Sequence, residues 1–354
     1  MSAELHSPAM NRQAAARYPS ITAVIPVHNA ARTLPECLRA LLASDYPGEF
    51  EVLCVDDASS DGSAELAERL GARVVRLERN VGAARSKNRG AAAARGAVLF
   101  FTDSDIVVQP DALRRIATAL ARPGVSGVVG LLGQRLRYSN FASQFKNLWM
   151  HFTYRRQPES KPVGLFYTSA AAIRRATFLE FGGFDEHYEG ASVTEDIEFG
   201  QRLLAAGHRL VMDKGLEVEH LKAYTVDGLL RTDCERAYGL MQTWLRRKFL
   251  TGLAQPTYAS VPWYFQLAVP ASLMLPLTLL AALLWPRRRL ALLGLVVGEW
   301  TSLLGLNWPF VSFLGRARGS RFFLQSALFL PLNLLVSALG ILQALADFAR
   351  GKRY

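Results

Sequence analysis

The chain has 354 residues, of which 50% are hydrophobic and 20% charged, and its formal net charge is +11. So high an apolar fraction excludes an intrinsically disordered chain. Residues 251–354 hold 9 Lys and Arg against 2 Asp and Glu. Most of the excess positive charge therefore accompanies apolar runs, which argues against nucleic acid as a partner.

The amino-terminal half has an α/β pattern. From residue 21, short apolar runs alternate with helical spacings, and the runs are continuous rather than alternating, which is typical of a parallel sheet covered on both faces. The predicted strands are 21–27, 50–55, 74–77, 97–101 and 124–133, and the predicted helices are 32–44, 63–70, 82–95, 111–121 and 224–250. In such sheets, ligands bind beyond the carboxyl ends of the strands.

Three long apolar stretches follow, at 261–285, 290–315 and 322–346. Each exceeds the roughly 20 residues needed to span a bilayer. Glu299, Asn307 and Pro309 make the middle stretch the weakest candidate, equally compatible with a re-entrant segment or one that faces protein. Basic residues stand at every junction, so the positive-inside rule assigns no topology.

The chain ends and the cysteines complete this outline. Residues 1–20 contain no apolar signal-peptide core, so we expect no signal peptide, and we expect a mobile leader over 1–18. A domain over 19–240 and a membrane anchor over 241–354 should follow. The 3 cysteines have no C-x-x-C spacing, which disfavours a disulfide scaffold or a zinc cluster and is compatible with the cytosol.

Acidic pairs follow two of the predicted strands. Asp103 and Asp105 come directly after an apolar strand, and two such carboxylates suit Mg²⁺ or Mn²⁺ bridging a diphosphate. Solvated loop acids are the alternative interpretation. Asp56 and Asp57 either stabilise a turn or accept hydrogen bonds from a nucleotide base and ribose.

Two further features are open to more than one interpretation. Glu195 and Asp196 begin a helical pattern, where acids compensate the helix dipole. Asp196 is alternatively a general base for an acceptor hydroxyl. His220 is either structural or a third ligand to the metal.

Together, these segments resemble family 2 glycosyltransferases. The resemblance covers about residues 21–235 and rests on five motifs in chain order: Val24–Asn29, Val55–Gly62, Asn80–Gly90, Thr102–Asp105, and Gly182–Glu186 followed by Glu195-Asp196. It implies the GT-A fold, a mostly parallel sheet flanked by helices, here followed by C-terminal transmembrane helices. It also implies a nucleotide-sugar donor, a divalent cation and an inverting displacement.

The resemblance assigns roles to individual residues. The implied catalytic residues are Asp196 as base, with Glu195 beside it, and the implied metal ligands are Asp103, Asp105 and His220. The implied nucleotide-sugar-binding residues are Pro26, His28, Asn29, Asp56, Asp57, Lys87, Asp103 and Ser104.

Some positions depart from the family pattern. His28 replaces an aromatic residue, and Lys87 replaces Arg. Thr168-Ser169 replaces a Gly-containing turn on the acceptor side, so the identity of the acceptor is the property least transferable from the family to this chain. The Gln-x-x-Arg-Trp signature of processive synthases is absent. The most similar segment, Gln242–Arg246, has its Trp before its Arg.

We therefore expect a non-processive, multi-pass enzyme of the inner cell membrane with a cytoplasmic catalytic domain. It would move one sugar to a lipid or lipid-linked glycan. The basic run Arg246-Arg247-Lys248 either favours anionic headgroups or merely flanks the first span. The alternative is a non-catalytic nucleotide-sugar-binding subunit of a membrane glycan-assembly complex. A dinucleotide oxidoreductase is disfavoured, because no G-x-G-x-x-G follows the first strand.

Overall fold

The computed structural model describes residues 18–188, 194–246 and 261–352. Residues 1–17 of the expected leader, and Arg247 and Lys248 of the basic run, lie outside the described residues. The chain forms two units. The first comprises Met1–Arg137 and Gln157–Lys222, and the second comprises Tyr138–Arg156 and Ala223–Tyr354.

The bounds of the regular elements are as follows. The strands are β1 Ile21–Val27, β2 Phe50–Asp56, β3 Arg73–Arg76, β4 Val98–Phe101, β5 Ile106–Val108, β6 Val125–Leu132, β7 Ala171–Arg174 and β8 Arg209–His220. The helices are α1 Leu34–Leu42, α2 Ser63–Arg69, α3 Ala83–Ala93, α4 Ala112–Leu120, α5 Phe141–Arg155, α6 Arg175–Glu180, α7 Glu195–Ala205, α8 Val226–Arg246, α9 Trp263–Ala271, α10 Met274–Leu284, α11 Arg289–Leu306, α12 Trp308–Arg318 and α13 Ser320–Ala349.

The first unit is built on an eight-stranded sheet of order β3-β2-β1-β4-β7-β6-β8-β5. The first four strands in this order are mutually parallel. Because the chain leaves β1 for β2 on one side and returns to β4 on the other, the strand order reverses beside β1. Ligands of open α/β sheets bind in the crevice at such a reversal. The carboxyl ends of β1, β2 and β4 therefore define the expected site.

Helix α3 packs closely on this parallel half. A Cβ added at Gly90 would come closer than 3.0 Å to side-chain carbons of both Val24 on β1 and Val55 on β2. Only glycine permits this approach, because protein interiors leave no room for an extra methyl group. The contact sets the position of Lys87, one turn earlier on the same helix.

The predicted α/β fold is confirmed, but the second half of the sheet is mixed rather than parallel. Strand β7 runs antiparallel to both β4 and β6. Strands β5 and β8 are also antiparallel, with Ile106 opposite His220. Strands β5, β7 and β8 lack a recognisable sequence pattern, because two are only three or four residues long and the third alternates irregularly between buried and half-buried positions.

An aromatic cluster joins helix α7 to strand β4. Its rings have centroid separations of 5.0 to 6.1 Å. The members are Phe101 on β4, Phe166, Phe178, Phe184, and Phe199 on α7. Burial of such large side chains is the main favourable term in a core. The cluster therefore anchors α7, with Glu195 and Asp196 in its first turn, to the sheet beside Asp103.

The second unit is helical and has its own aromatic core. Phe310 on α12 lies 4.8 Å from Trp149 and 5.3 Å from Phe152, both on α5, between ring centroids. The predicted middle stretch 290–315 is interrupted at Asn307, where α11 ends and α12 begins with Pro309 in its first turn. Phe310 is fully buried, so α12 packs against protein at this position, whereas α11 belongs to a largely exposed segment that is long and apolar enough to span a membrane.

Three helical segments of the second unit are long and apolar enough to cross a membrane. They are Trp263–Leu284, Pro286–Leu306 and Ser320–Ala349. Their large exposed side chains include Leu283 and Leu290, which is typical of lipid-facing positions.

Candidate active site

The loops after β1 and β2 interlock through short hydrogen bonds. His28 Nδ1 lies 2.8 Å from the Asp57 carbonyl oxygen, and the Asn29 amide donates to Ser59 Oγ at 3.0 Å. Asn29 and Ala58 both have left-handed backbone angles, with φ of 50° and 58°. Left-handed backbone costs a non-glycine residue roughly 1–2 kcal/mol and tends to occur at functional sites. The two predicted nucleotide loops thus form one preorganised edge.

Asp57 is bound to the backbone of the loop before α3. Its Oδ1 accepts from the Val81 amide at 2.7 Å and its Oδ2 from the Gly82 amide at 2.9 Å. The side chain is buried. Asp57 therefore shapes the edge of the predicted nucleotide site through the 81–82 loop. Its neighbour Asp56 is also buried, and its Oδ1 has no hydrogen-bond partner within the part of the chain that the structure describes.

At the end of β4, the Asp103 carboxylate is held by a neighbouring hydroxyl. Ser169 Oγ donates to Asp103 Oδ2 at 2.6 Å, and Thr102 Oγ1 donates to the Ser169 carbonyl at 3.1 Å. The Thr168-Ser169 turn, noted in the sequence only as a departure on the acceptor side, thus contacts the donor-side carboxylate directly. Ser104 is half-buried in the same loop.

Asp105 and His220 lie side by side. His220 Nε2 lies 3.1 Å from Asp105 Oδ2, because β5 and β8 pair with Ile106 opposite His220. The Leu221 amide also donates to the Asp105 carbonyl at 2.7 Å. Burial opposes ionisation of Asp105, but the hydrogen bond and charge of His220, together with Lys222, hold its pKa below its usual range. The carboxylate form, which binds metals, is thereby favoured.

The buried ammonium of Lys87 contacts another acidic residue of the predicted site. Its ammonium donates to Thr168 Oγ1 at 2.7 Å and to Glu195 Oε1 at 3.0 Å. Burial would lower the pKa of Lys87, but the charges of Glu195, Asp103 and Asp196 outweigh it and raise the pKa. Acids from β4 and from α7 therefore converge on one buried cation. In the sequence these groups are about a hundred residues apart.

Asp196 is half-buried in the first turn of α7. Its Oδ1 accepts from the Ile197 amide at 2.7 Å, an interaction expected of an acid at a helix N-terminus. The capping role and the electrostatic interaction with Lys87 thus coexist at this residue. Glu195 is more deeply buried than Asp196.

Comparison with known proteins identifies the family. Residues 22–182 match the family model described as Glycosyl transferase family 2. The chain contains a family 2 glycosyltransferase domain. Glycosyltransferase AglE of Haloferax volcanii is 27% identical over 66% of this chain and 79% of its own length. Succinoglycan biosynthesis protein ExoO of Rhizobium meliloti is 28% identical over 70% of this chain and 74% of its own length.

A solved structure shares the fold of this glycosyltransferase. Mannosyltransferase PcManGT from Pyrobaculum calidifontis, solved with GDP-Man and Mn²⁺, has a TM-score of 0.55 at 18% sequence identity. The match covers 92% of this chain and 87% of that one. The GT-A fold inferred from the sequence motifs is thereby confirmed. The enzyme class, a glycosyltransferase, is confirmed by the family model and the named relatives.

The donors at the end of β4 are of the kind that Mg²⁺ or Mn²⁺ binds. The carboxylate oxygens of Asp105 suit these hard cations, and the softer imidazole nitrogen of His220, 3.1 Å away, is a weaker ligand for them. In residues 18–188, 194–246 and 261–352, no group of three or more His, Cys, Asp and Glu side chains has a metal-holding arrangement. A pair of protein ligands still fits a cation that shares its remaining positions with diphosphate oxygens.

Two supports of this glycosyltransferase's site were not expected from the sequence. Asn88 donates to the Phe184 carbonyl at 2.8 Å and accepts from the Phe184 amide at 2.9 Å, which ties α3 to the Gly182–Glu186 motif. Arg137 bridges Glu36 on α1 and Glu219, the neighbour of His220. In the sequence, only its place in the Asn80–Gly90 motif indicated a role for Asn88. No local pattern indicated a role for Arg137.

Proposed function

We propose that this glycosyltransferase moves one sugar from a nucleotide-sugar to a membrane-held acceptor, a lipid or lipid-linked glycan, in a cation-dependent, inverting reaction. The observation that carries the proposal is the buried contact of the Lys87 ammonium with Glu195 Oε1, at 3.0 Å, which holds the first turn of α7, with Asp196, against α3. Lys87 also binds Thr168, and the next residue, Ser169, binds Asp103, which supports a shared site for Asp103 and Asp196.

In the proposed reaction, the acceptor oxygen attacks the anomeric carbon of the donor sugar. The new bond joins that oxygen to the carbon, and the bond from the carbon to the diphosphate oxygen breaks. The electron pair leaves with the nucleoside diphosphate, and the acceptor proton passes to the Asp196 carboxylate. Attack opposite the leaving group inverts the anomeric centre. Since diphosphate is a good leaving group, a second carboxylic acid is not needed.

A divalent cation would be held by Asp105 and His220, with Asp103 beside them, and would neutralise charge on the diphosphate. The fold relative PcManGT was solved with GDP-Man and Mn²⁺, which agrees with a nucleotide-sugar donor and a divalent cation.

The two loops that follow β1 and β2 would hold the nucleotide. His28 and Asn29 are exposed at the end of β1, beside the unpartnered Asp56 oxygen at the end of β2. Pro26, half-buried on β1, precedes them. Lys87 would act on the donor indirectly, by holding α7 and its Glu195-Asp196 pair in position, because its own ammonium already binds Thr168 and Glu195.

The membrane acceptor is supported by the three apolar helical segments of the second unit. The relative ExoO is named for succinoglycan biosynthesis, which agrees with a role in assembling a glycan. We place the enzyme in the inner cell membrane, as a multi-pass protein with a cytoplasmic catalytic domain. This placement follows the sequence expectation.

A donor-turnover assay tests the proposal. The full chain, purified in detergent, is incubated with a panel of nucleotide-sugars and a lipid extract, and release of nucleoside diphosphate is measured with Mn²⁺, with Mg²⁺ and with a chelator. We expect turnover that the chelator abolishes. Asp196→Asn and Asp105→Ala should each reduce kcat by at least a hundredfold, the size typical of lost acid–base catalysis, on the order of 10²–10⁴.

Asp45→Asn is the matched control, because Asp45 is an exposed aspartate whose carboxylate pairs with Arg114 on α4. It should retain wild-type turnover. Full turnover in both Asp196→Asn and Asp105→Ala would refute the mechanism. Binding of a donor without turnover across the lipid panel would instead favour the non-catalytic subunit.

A further inference from the structure

A charged bridge on the first unit lies beside the predicted cation site and takes no part in the proposed chemistry. Arg137, in the segment after β6, binds two carboxylates. Its Nη1 and Nη2 donate to Glu36 Oε2 at 2.7 Å and Oε1 at 2.5 Å. Its Nε and Nη2 donate to Glu219 Oε1 at 3.3 Å and Oε2 at 3.2 Å. These hydrogen bonds nearly fill the guanidinium fork, so Arg137 has little capacity left to bind a substrate.

One of the two carboxylates is tied to the end of β4 through its neighbour in the chain. Glu36 lies in the first turn of α1, and Cys37 follows it. The Cys37 side chain is fully buried, and its thiol donates to the Asp103 carbonyl at 3.4 Å. Helix α1 and the backbone of the loop that carries Asp103 are therefore joined directly.

The other carboxylate is tied to the same loop through β8. Glu219 stands opposite Val107 in the β5–β8 ladder, and the next residue, His220, has its Nε2 3.1 Å from Asp105 Oδ2. Successive side chains of a strand point to opposite faces, so Arg137 and Asp105 hold the end of β8 from its two faces. Strand β5, which follows Asp105, is 3 residues long and lies at the edge of the sheet. Because so short an edge strand holds the loop weakly by itself, the bridge is its main further support on this side.

We propose that Arg137 is a positioning residue that fixes the Asp103–Asp105 loop and thereby strengthens the binding of a divalent cation there. It does so by joining Glu36 to Glu219, whose neighbours in the chain both contact the loop. The inference rests on the proposed function, because the cation site is part of that proposal. Groups that orient metal ligands from behind matter for affinity, and their loss typically weakens metal binding by roughly 10–100-fold.

Charge alone predicts the opposite effect of removing Arg137. The residue is itself a cation, bound to the neighbour of His220, and like charges repel, so a purely electrostatic role would make its removal tighten cation binding. A positioning role makes its removal weaken cation binding. The side chains of Arg137, Glu36 and Glu219 are 41%, 44% and 25% exposed, and pairs of such exposure contribute little to overall stability. The sign of the change in affinity therefore distinguishes the two roles without interference from unfolding.

Direct measurement of Mn²⁺ binding tests the proposal. The full chain in detergent is titrated with Mn²⁺, and the free ion is measured by electron paramagnetic resonance. Arg137→Met should raise the Kd for Mn²⁺ about tenfold, with little change in the unfolding midpoint. Arg114→Met is the matched control, because Arg114 is exposed to the same extent and pairs with Asp45. It should bind Mn²⁺ like the wild type. A Kd for Arg137→Met equal to or below that of the wild type would overturn the proposal.

Hydrogen exchange reports on the loop without any metal. The Ile106 amide donates to the Asp103 carbonyl, and the Leu221 amide donates to the Asp105 carbonyl. In Arg137→Met both amides should exchange faster than in the wild type, as measured by mass spectrometry of the peptides that contain them. Unchanged exchange at both would show that the bridge does not fix the loop.

Asp105→Ala keeps this inference separate from the proposed function. In turnover, Arg137→Met should raise the KM for Mn²⁺ and leave kcat at saturating Mn²⁺ nearly unchanged. If Asp105→Ala loses Mn²⁺ binding and Arg137→Met binds it like the wild type, the positioning role fails and the proposed function stands. If Asp105→Ala binds Mn²⁺ like the wild type while Arg137→Met still speeds exchange in the loop, the proposed cation site fails and the role of Arg137 in fixing the loop stands.

Discussion

The ammonium of Lys87 lies 3.0 Å from Glu195 Oε1, and the two side chains are only 4% and 2% exposed. This pair joins α3, which packs on the parallel strands, to α7, which carries the proposed base. Glu195 Oε2 has no hydrogen-bond partner among the residues of the described ranges. The pair is therefore both a structural link and a source of charge beside the reaction site.

Replacement of Lys87 by methionine should destabilise the protein strongly. Lys87→Met leaves Glu195 charged and buried without a cation, and breaking a buried pair in this way costs about 3–5 kcal/mol. The free energy of unfolding, measured by denaturant titration, should fall by that amount. The double variant Lys87→Met/Glu195→Leu should recover most of the loss, because no uncompensated charge remains. Equal losses in the single and double variants would contradict the assignment.

Asp57→Asn should weaken donor binding through the loop before α3. The amide retains one acceptor oxygen but turns an NH₂ group toward either the Val81 or the Gly82 N–H, at a cost of about 1–3 kcal/mol. We expect the donor KM to rise about tenfold with a smaller change in kcat, as measured by steady-state nucleoside diphosphate release. Asp45→Asn serves again as the surface control. An unchanged KM would show that the 81–82 loop does not shape the nucleotide site.

Gly90→Ala should reduce stability because its methyl group collides with Val24 and Val55. Overpacking of this kind costs about 1–3 kcal/mol. Adding Val24→Ala relieves the closer of the two contacts, so the double variant should lose less than the sum of the two single variants. Thermal or denaturant unfolding measures the coupling. Simple additivity would mean that α3 does not rest on β1 at this point.

The cysteines should differ in their reaction with alkylating reagents. Burial, with a smaller effect of Asp56, raises the pKa of Cys54 to about 12, and burial raises the pKa of Cys37 well above its usual range. The thiolate is the reactive form, so at pH 8 both should react only after unfolding. Cys234, half-buried on α8, should react first, at a rate that rises with pH.

Mass spectrometry of the native protein after timed exposure to iodoacetamide measures the order. In denaturant all three thiols should react at similar rates. Cys234→Ser removes the fast phase and serves as the control. Rapid native alkylation of Cys54 would contradict its burial between β1 and β3.

The parallel half of the fold was predictable from the sequence because its signals are local. Continuous apolar runs with helices between them marked β1 to β4, and the acids that follow β2 and β4 indicated the edge where a ligand binds. Short strands such as β7 carry too few residues for a pattern. Their place in the sheet depends on pairing with β4 and β6, which are distant in the chain.

The sequence by itself determined the α/β pattern of the parallel half, the resemblance to the family and the residue types available for chemistry, because spacing and motif are properties of the chain. Only the tertiary structure decided what each group does. It shows Asp57 turned to two backbone amides, Lys87 paired with Glu195, and Asp105 beside His220. These contacts join segments tens to a hundred residues apart, so they exist only once burial of the core has brought the segments together.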